Sequence, residues 1–212
     1  MNTQKIALFT TTGEVGTRLA EEALKRGHSV TAIVSNENEF KLKHPNLKVV
    51  RGDGRRKEDV SKHSRGHDVA VFTYEPTLKN PREHVDITRN MIEGAKEAGV
   101  QHIVSAAHPL SQRMESTEEF YNSFKPVLQA QQEALKLLQK EKGLSWGYLH
   151  TIEPEAGQKP REYRISNEVY LSQPQGQERV QLKNYTNAIL DEAEKSQLET
   201  HESHYTDDDR LN

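Results

Sequence analysis

The chain has 212 residues, with 29 Lys and Arg against 32 Asp and Glu, no Cys and one Trp. That length suits one core rather than two large domains, and a formal net charge of −3 leaves no cationic excess to grip a polyanion. No apolar run nears the roughly 20 residues of a membrane span, no signal-like apolar segment opens the sequence, and without cysteine there are no disulfides or thiolate-held metals. A cytoplasmic protein is expected. It is a polar one, only 33% hydrophobic with a mean hydropathy of −0.89.

Short apolar runs alternate with stretches of helical period, which predicts βαβ units and a parallel sheet. Residues 6–9 read as the first strand. After the turn Thr10-Thr11-Thr12-Gly13 comes a stripe of Val15, Leu19, Ala20, Ala23 and Leu24, stopped by Gly27. Strands follow at 30–34 and 47–50, the latter running into Gly52-Asp53. A short helix over 57–63 ends at Gly66, and a fourth strand covers 68–72. Val85, Met91, Ile92 and Ala95 mark a long helix closed by Gly99, and 102–105 form the fifth strand. Residues 108–125 read as a long polar loop, with Pro126 starting a helix through Val127, Leu128, Leu135 and Leu138. A sixth strand covers 144–149. Then come an extended piece over 163–171, a Gln/Pro/Gly turn, and a helix with Leu182, Tyr185, Ala188 and Ile189. A polar tail fills 196–212. The expected fold class is α/β, a Rossmann-like doubly wound parallel sheet in a single domain over 1–195. Residues 151–195 form a small elaboration on its substrate side.

A strand, a glycine-containing turn and a helix can bind a dinucleotide pyrophosphate. The helix start offers free amides and the positive end of its dipole, and glycine lets the backbone approach the phosphates. Gly13 and Gly16 stand at two of the three fingerprint positions, with Thr10 at the first. The plainer reading of Gly16 is that it only lets the helix sit tightly on the sheet.

Residues 5–34, from Lys5-Ile6-Ala7-Leu8-Phe9 to Arg26-Gly27-His28 and the second strand, resemble the opening of the atypical short-chain dehydrogenase/reductases. The nearest group is the small NAD(P)H-binding proteins of NADH-flavin reductase, NAD-dependent epimerase/dehydratase-like or NmrA-like type. Their opening runs Gly-Ala-Thr-Gly-x-x-Gly and then a helix ending Arg-Gly-His. Further agreement lies in His44-Pro45-Asn46-Leu47, Gly52-Asp53, Gly66-His67-Asp68, Ile92-Glu93-Gly94, Ala98-Gly99-Val100, Lys125-Pro126 and Tyr163-Arg164. The likeness extends from residue 5 to about residue 195. It implies that Thr12, Gly13, Val15 and Gly16 frame a pyrophosphate, and that Asp53 accepts a hydrogen bond from the adenine amine. The plainer reading of Asp53 is a turn or capping residue before the helix at 57–63.

Three departures from that pattern bear on the cofactor. Thr10 puts a side chain where the backbone should turn tightly. Glu14 brings a carboxylate to a position that is often basic in the group. Ser35 offers neither an arginine for a 2′-phosphate nor an acid for a ribose hydroxyl. NAD is favoured over NADP, with binding weakened or lost.

Tyr121-Asn122-Ser123-Phe124-Lys125 matches the Tyr-x-x-x-Lys of active short-chain dehydrogenases, in which lysine lowers the tyrosine pKa for proton transfer. Ser105 is a candidate polarising hydroxyl at the end of the fifth strand. The match is weak, because in the small relatives the lysine sits in a Tyr-Lys-Pro context that aligns with Phe124-Lys125-Pro126. Reduction of a flavin or quinone needs no protein acid, since the cofactor delivers hydride directly. His63 and His67 are separated by a helix end, and His201 and His204 lie in the polar tail, so no metal site is expected. Arg51, Arg55, Arg56 and Lys57 form a basic cluster, read as a solvated surface or a phosphate contact. The expected partners are a dinucleotide and a small-molecule acceptor. No nucleic acid or membrane is expected, and the chain should be a monomer or homodimer. Two functions fit: an NAD(P)H-binding oxidoreductase reducing a flavin, quinone or similar acceptor, or a non-catalytic relative that senses nucleotide or binds protein through a decayed cleft.

Overall fold

The computed structural model describes residues 3–10, 13–74, 79–107, 118–150, 168–170 and 182–195. Strands of a sheet covered on both faces must be apolar on both sides. β1 (Lys5–Phe9) accordingly buries every residue after Lys5. It leads into α1 (Glu14–Lys25), β2 (Ser29–Val34), β3 (Leu47–Arg51), α2 (Lys57–Ser64) and β4 (Val69–Tyr74). Then come α3 (Glu83–Ala98), β5 (His102–Ala107), α4 (Glu118–Gln139), β6 (Ser145–His150), β7 (Glu168–Tyr170) and α5 (Leu182–Ala193). The seven strands form one sheet in the order β3-β2-β1-β4-β5-β6-β7, and every pairing is parallel. The doubly wound α/β architecture expected from the sequence is present. At the edge, Lys48 and Arg51 of β3 stay exposed, which discourages pairing with another chain.

Alternate residues of each strand feed two cores. Ile6 and Leu8 of β1 join Val30, Val71 and Val104 under α1 and α5, where Leu19, Ala23, Ile189 and Leu190 close the layer. Ala7 and Phe9 join Ile33, Phe72, Ile103 and Tyr148 under α2, α3 and α4. α1 ends where Gly27 turns left-handed at φ 89°, so that the His28 and Gly27 amides donate to Ala23 and Leu24 carbonyls. Gly99 ends α3 the same way at φ 79°.

Three expectations need revision. Residues 118–125 belong to α4 rather than to a loop, and Pro126 lies inside that helix instead of starting it. Proline removes one helical amide bond, but burial of Val127, Ala130, Ala134 and Leu138 holds α4 on the sheet through it. β5 runs on to Ala107, so Ser105 lies two residues inside the strand rather than at its end. Of the extended piece expected over 163–171, the strand is Glu168–Tyr170 and lies parallel to β6; the Gln/Pro/Gly turn and the polar tail lie outside the described residues. α5 docks on α1: the Arg26 guanidinium reaches Asp191 at 2.7 Å and Glu194 at 3.1 Å, and Glu194 lies 2.8 Å from His28. Among the described residues no helix is long and apolar enough to cross a membrane.

His102 ties β5 to β6 and α5 from a nearly fully buried position. Its Nδ1 lies 3.0 Å from the Ser145 hydroxyl, and its Nε2 lies 3.1 Å from the Glu192 carbonyl. Burial lowers its pKa below the ordinary 6.5, outweighing the opposing bond to Glu192. The unfolded chain therefore takes up this proton first. The stabilisation is complete above pH 6.5 and is lost as pH falls through the folded value. Melting temperature should decline on going from pH 7 to pH 5, and His102→Gln should flatten that slope while lowering stability at pH 7. An unchanged slope in the variant would assign the decline to other groups, such as His67, whose pKa burial also lowers.

Candidate functional site

Strand order reverses between β1 and β4, which makes a crevice at their carboxyl ends, the usual ligand position in open α/β sheets. Near these ends Phe9 and Phe72, side by side on β1 and β4, stack their rings at 4.6 Å and 4°. Thr10 replaces the first glycine of the fingerprint. Its amide donates to the Ile33 carbonyl at 3.2 Å, and its hydroxyl meets that of Thr73 at 2.6 Å, bridging β1 and β4. Thr12 lies outside the described residues.

Gly13 is the exposed N-cap of α1 and offers no side chain to satisfy the first-turn amides. Val15 is half-buried against the α1 core, and Gly16 is buried. The Glu14 carboxylate turns along the helix to Arg18 at 2.9 Å and stays 68% exposed.

Across the crevice, β3 exits through Gly52, where a Cβ would come within 2.6 Å of Ile33 Cγ2. Asp53 follows, its amide donating to Asp59 at the start of α2. Its carboxylate accepts the Arg55 amide at 3.0 Å and is gripped by the Arg55 guanidinium from Nε at 2.9 Å and Nη2 at 2.9 Å. Burial raises the Asp53 pKa, and the hydrogen bonds and charge of Arg55 more than reverse this, so the carboxyl sits below its usual range. Of the two readings of Asp53, the turn residue is directly visible.

Arg55 also reaches Glu83 at 3.5 Å, and Glu83 accepts the Tyr74 hydroxyl at 3.3 Å. Burial first, then the Glu83 carboxylate, push the Tyr74 phenol up to about 12. Tyr74 stacks on His84 at 5.2 Å, and His84 Nε2 lies 2.8 Å from the buried Tyr148 hydroxyl. A polar chain thus runs from Asp53 into the core. Sequence spacing alone had no signal for it, since Asp53, Tyr74, Glu83 and Tyr148 are far apart in the chain.

Ser105 is 4% exposed, in register with Phe72 and Tyr148. Lys125 is exposed on α4; Tyr121 is in the same helix, and its side chain lies outside the described residues. His67 Nε2 is 2.9 Å from the Thr31 hydroxyl, and the His63 ring packs against Gly52. Ser35 is exposed at the end of β2. Two residues on, the Glu37 carboxylate accepts the Arg51 amide at 2.5 Å, an acid that the sequence reading passed over. A shallow groove of about 430 Å³ lies between α2, α3 and α4, away from these strand ends, with its Lys57 and Lys96 already paired to Glu97 and Glu141.

The parallel order, the crevice at its reversal and the open helix start define a Rossmann-type protein. Residues 11–195 match the NAD(P)H-binding family, and the chain belongs to it. A nicotinamide dinucleotide is the cofactor class of that family. The chain is 27% identical over 201 residues to the uncharacterized protein YwnB of Bacillus subtilis, covering 90% of this chain and 92% of that one. Among solved structures it is similar to a "putative epimerase" of Bacteroides thetaiotaomicron, with 25% identity, a TM-score of 0.64, and 90% and 91% of the two chains covered. It is also similar to a "putative NADH-flavin reductase" of Streptococcus pneumoniae, with 24% identity, a TM-score of 0.60, and 89% and 92% covered. These neighbours agree with the atypical short-chain dehydrogenase/reductase resemblance.

Proposed function

We propose that this protein binds NADH across the β1–β4 crevice and reduces a small acceptor of flavin or quinone type. The observation that carries the reading is the uncapped start of α1 at the switch point, in a chain of the NAD(P)H-binding family. Gly13 and the first-turn amides through Gly16 would face the pyrophosphate, with Thr12 and Val15 beside them. In the Thr10–Thr73 pair one hydroxyl donates to the other, which leaves one hydrogen to donate to a ligand oxygen. The bound dinucleotide supplies a hydride, so an acceptor that takes hydride directly requires no acid from Tyr121 or Lys125. Glu37 near the end of β2 would repel a 2′-phosphate, and this favours NAD over NADP.

Thermal-shift titrations with NADH and NADPH separately test the reading. NADH at about 100 times its dissociation constant should stabilise the fold by roughly 2.7 kcal/mol, and NADPH should require higher concentrations. NADH should also be oxidised when FMN or a quinone is added. Failure of both nucleotides to shift melting at millimolar concentration overturns the proposal. The Thr10–Thr73 bridge across the crevice and the exposed Lys125 favour a second reading, a non-catalytic nucleotide sensor. A clear NADH shift without oxidation by any acceptor would decide for it.

A further inference from the structure

The Asp53 carboxylate already accepts three hydrogens, all from Arg55, with the Nε hydrogen shared between its two oxygens. Its Oδ1 receives the Arg55 amide at 3.0 Å and Nε at 2.9 Å, and its Oδ2 receives Nε at 3.1 Å and Nη2 at 2.9 Å. A carboxylate offers about four in-plane positions, and a two-pronged charged grip is the hardest kind to exchange for a neutral amine. The third guanidinium nitrogen, Nη1, lies 3.5 Å from Glu83, so Arg55 is held between two carboxylates. Its backbone is fixed as well, because Asn90 donates to the Arg55 carbonyl at 2.7 Å. Yet the side chain is 58% exposed. A planar cation held at its edge by carboxylates still offers its flat face. The turn that carries it lies against the two stacked rings, where a Cβ on Gly54 would sit 3.4 Å from Phe9 Cβ and 3.8 Å from Phe72 Cδ1.

Resting on the dinucleotide reading above, we infer that Arg55, rather than Asp53, meets the adenosine half, stacking its guanidinium face on the purine, and that Asp53 and Glu83 are positioning residues for it. A phosphate contact fits less well, because the Arg55 charge is already met by two carboxylates. A purine needs only the face, which arginine supplies and lysine does not.

The test uses the intact protein, with affinities for NADH, its hypoxanthine analogue (which lacks the exocyclic amine) and reduced nicotinamide mononucleotide. Wild type should bind the hypoxanthine analogue within about threefold of NADH, because stacking does not need the amine. Arg55→Ala should weaken both dinucleotides about tenfold and leave the mononucleotide unchanged, and Arg55→Lys should not rescue them. A tenfold or greater preference of wild type for NADH over the analogue would return the adenine to Asp53 and overturn the inference; that comparison needs no variant. Unaltered dinucleotide affinity in Arg55→Ala, or an equal loss for the mononucleotide, would reduce the cluster to a structural ion pair and overturn it too. If wild type binds NADH in neither thermal nor affinity measurements, the dinucleotide reading itself falls and takes the inference with it, an outcome distinct from the others.

Discussion

Gly94→Val should lower the unfolding free energy by about 3 kcal/mol, the upper end of the usual cost of overpacking a core. A Cβ at this position would lie 2.7 Å from both Val60 Cβ and Cγ1 and 2.9 Å from the Lys57 carbonyl oxygen. Neither neighbour can yield. Val60 is β-branched and fully buried, and the carbonyl belongs to the first turn of α2. Relief requires α2 and α3 to move apart. Gly94→Ala should cost less, because alanine regains about 1 kcal/mol of helix propensity over glycine. Chemical denaturation measures both, with Gly143→Ala, at an exposed position 3.7 Å from its nearest neighbour, as a control expected near zero. Val60→Ala in the Gly94→Val background should restore part of the loss. A Gly94→Val protein as stable as wild type would mean that the two helices are not pressed together here. The consequence reaches the crevice: α2 follows the Asp53–Arg55 turn and α3 begins at Glu83, so this helix contact sets the distance between Arg55 and its second carboxylate.

The sheet was legible because burial on both faces leaves unbroken runs such as Ile6 to Phe9 and Val69 to Phe72, and because Gly27 and Gly99 mark their helix ends through backbone freedom. Pro126 misled for a physical reason. Proline is favoured at helix starts, yet the helical spacing of Phe120, Phe124, Val127 and Leu128 already carries the period across it. That upstream half was the missed signal. The strand–turn–helix frame of the site was equally legible, through Gly13 and Gly16. Its polar furnishing was not. Arg55 folds back on a residue only two positions earlier, which no periodicity encodes. Thr10 meets Thr73, and His84 meets Tyr148, only because parallel pairing and helix packing bring distant positions together. Glu37 does not follow from the pattern at Ser35, the position directly after β2, because the chain places its acid two residues further on.

Glu14→Arg should tighten NADH binding about tenfold, corresponding to about 1.4 kcal/mol. Glu14 is the first residue of α1, where the open amides and the dipole attract an anion and a carboxylate competes with it. Arg18 holds that carboxylate at 2.9 Å and offsets part of its charge, but the pair is exposed and worth little by itself. Neutralisation in Glu14→Gln should give a smaller part of the gain and reversal the whole of it. The cost falls on the apo fold: a cation at the positive end of a helix, four residues from Arg18, should lower stability by up to about 1 kcal/mol. Affinity and stability should therefore move in opposite directions, a signature that a general loosening of the fold would not produce. Titrations at low salt and near 0.5 M salt provide the check, since screening should shrink the gain in the variant as the Debye length falls to a few ångströms. NADPH and ADP-ribose should gain by the same factor as NADH, because the three share the pyrophosphate. A gain confined to NADPH would locate the new charge beside the ribose phosphate. No gain for any of the three would mean that the diphosphate does not lie against the start of α1.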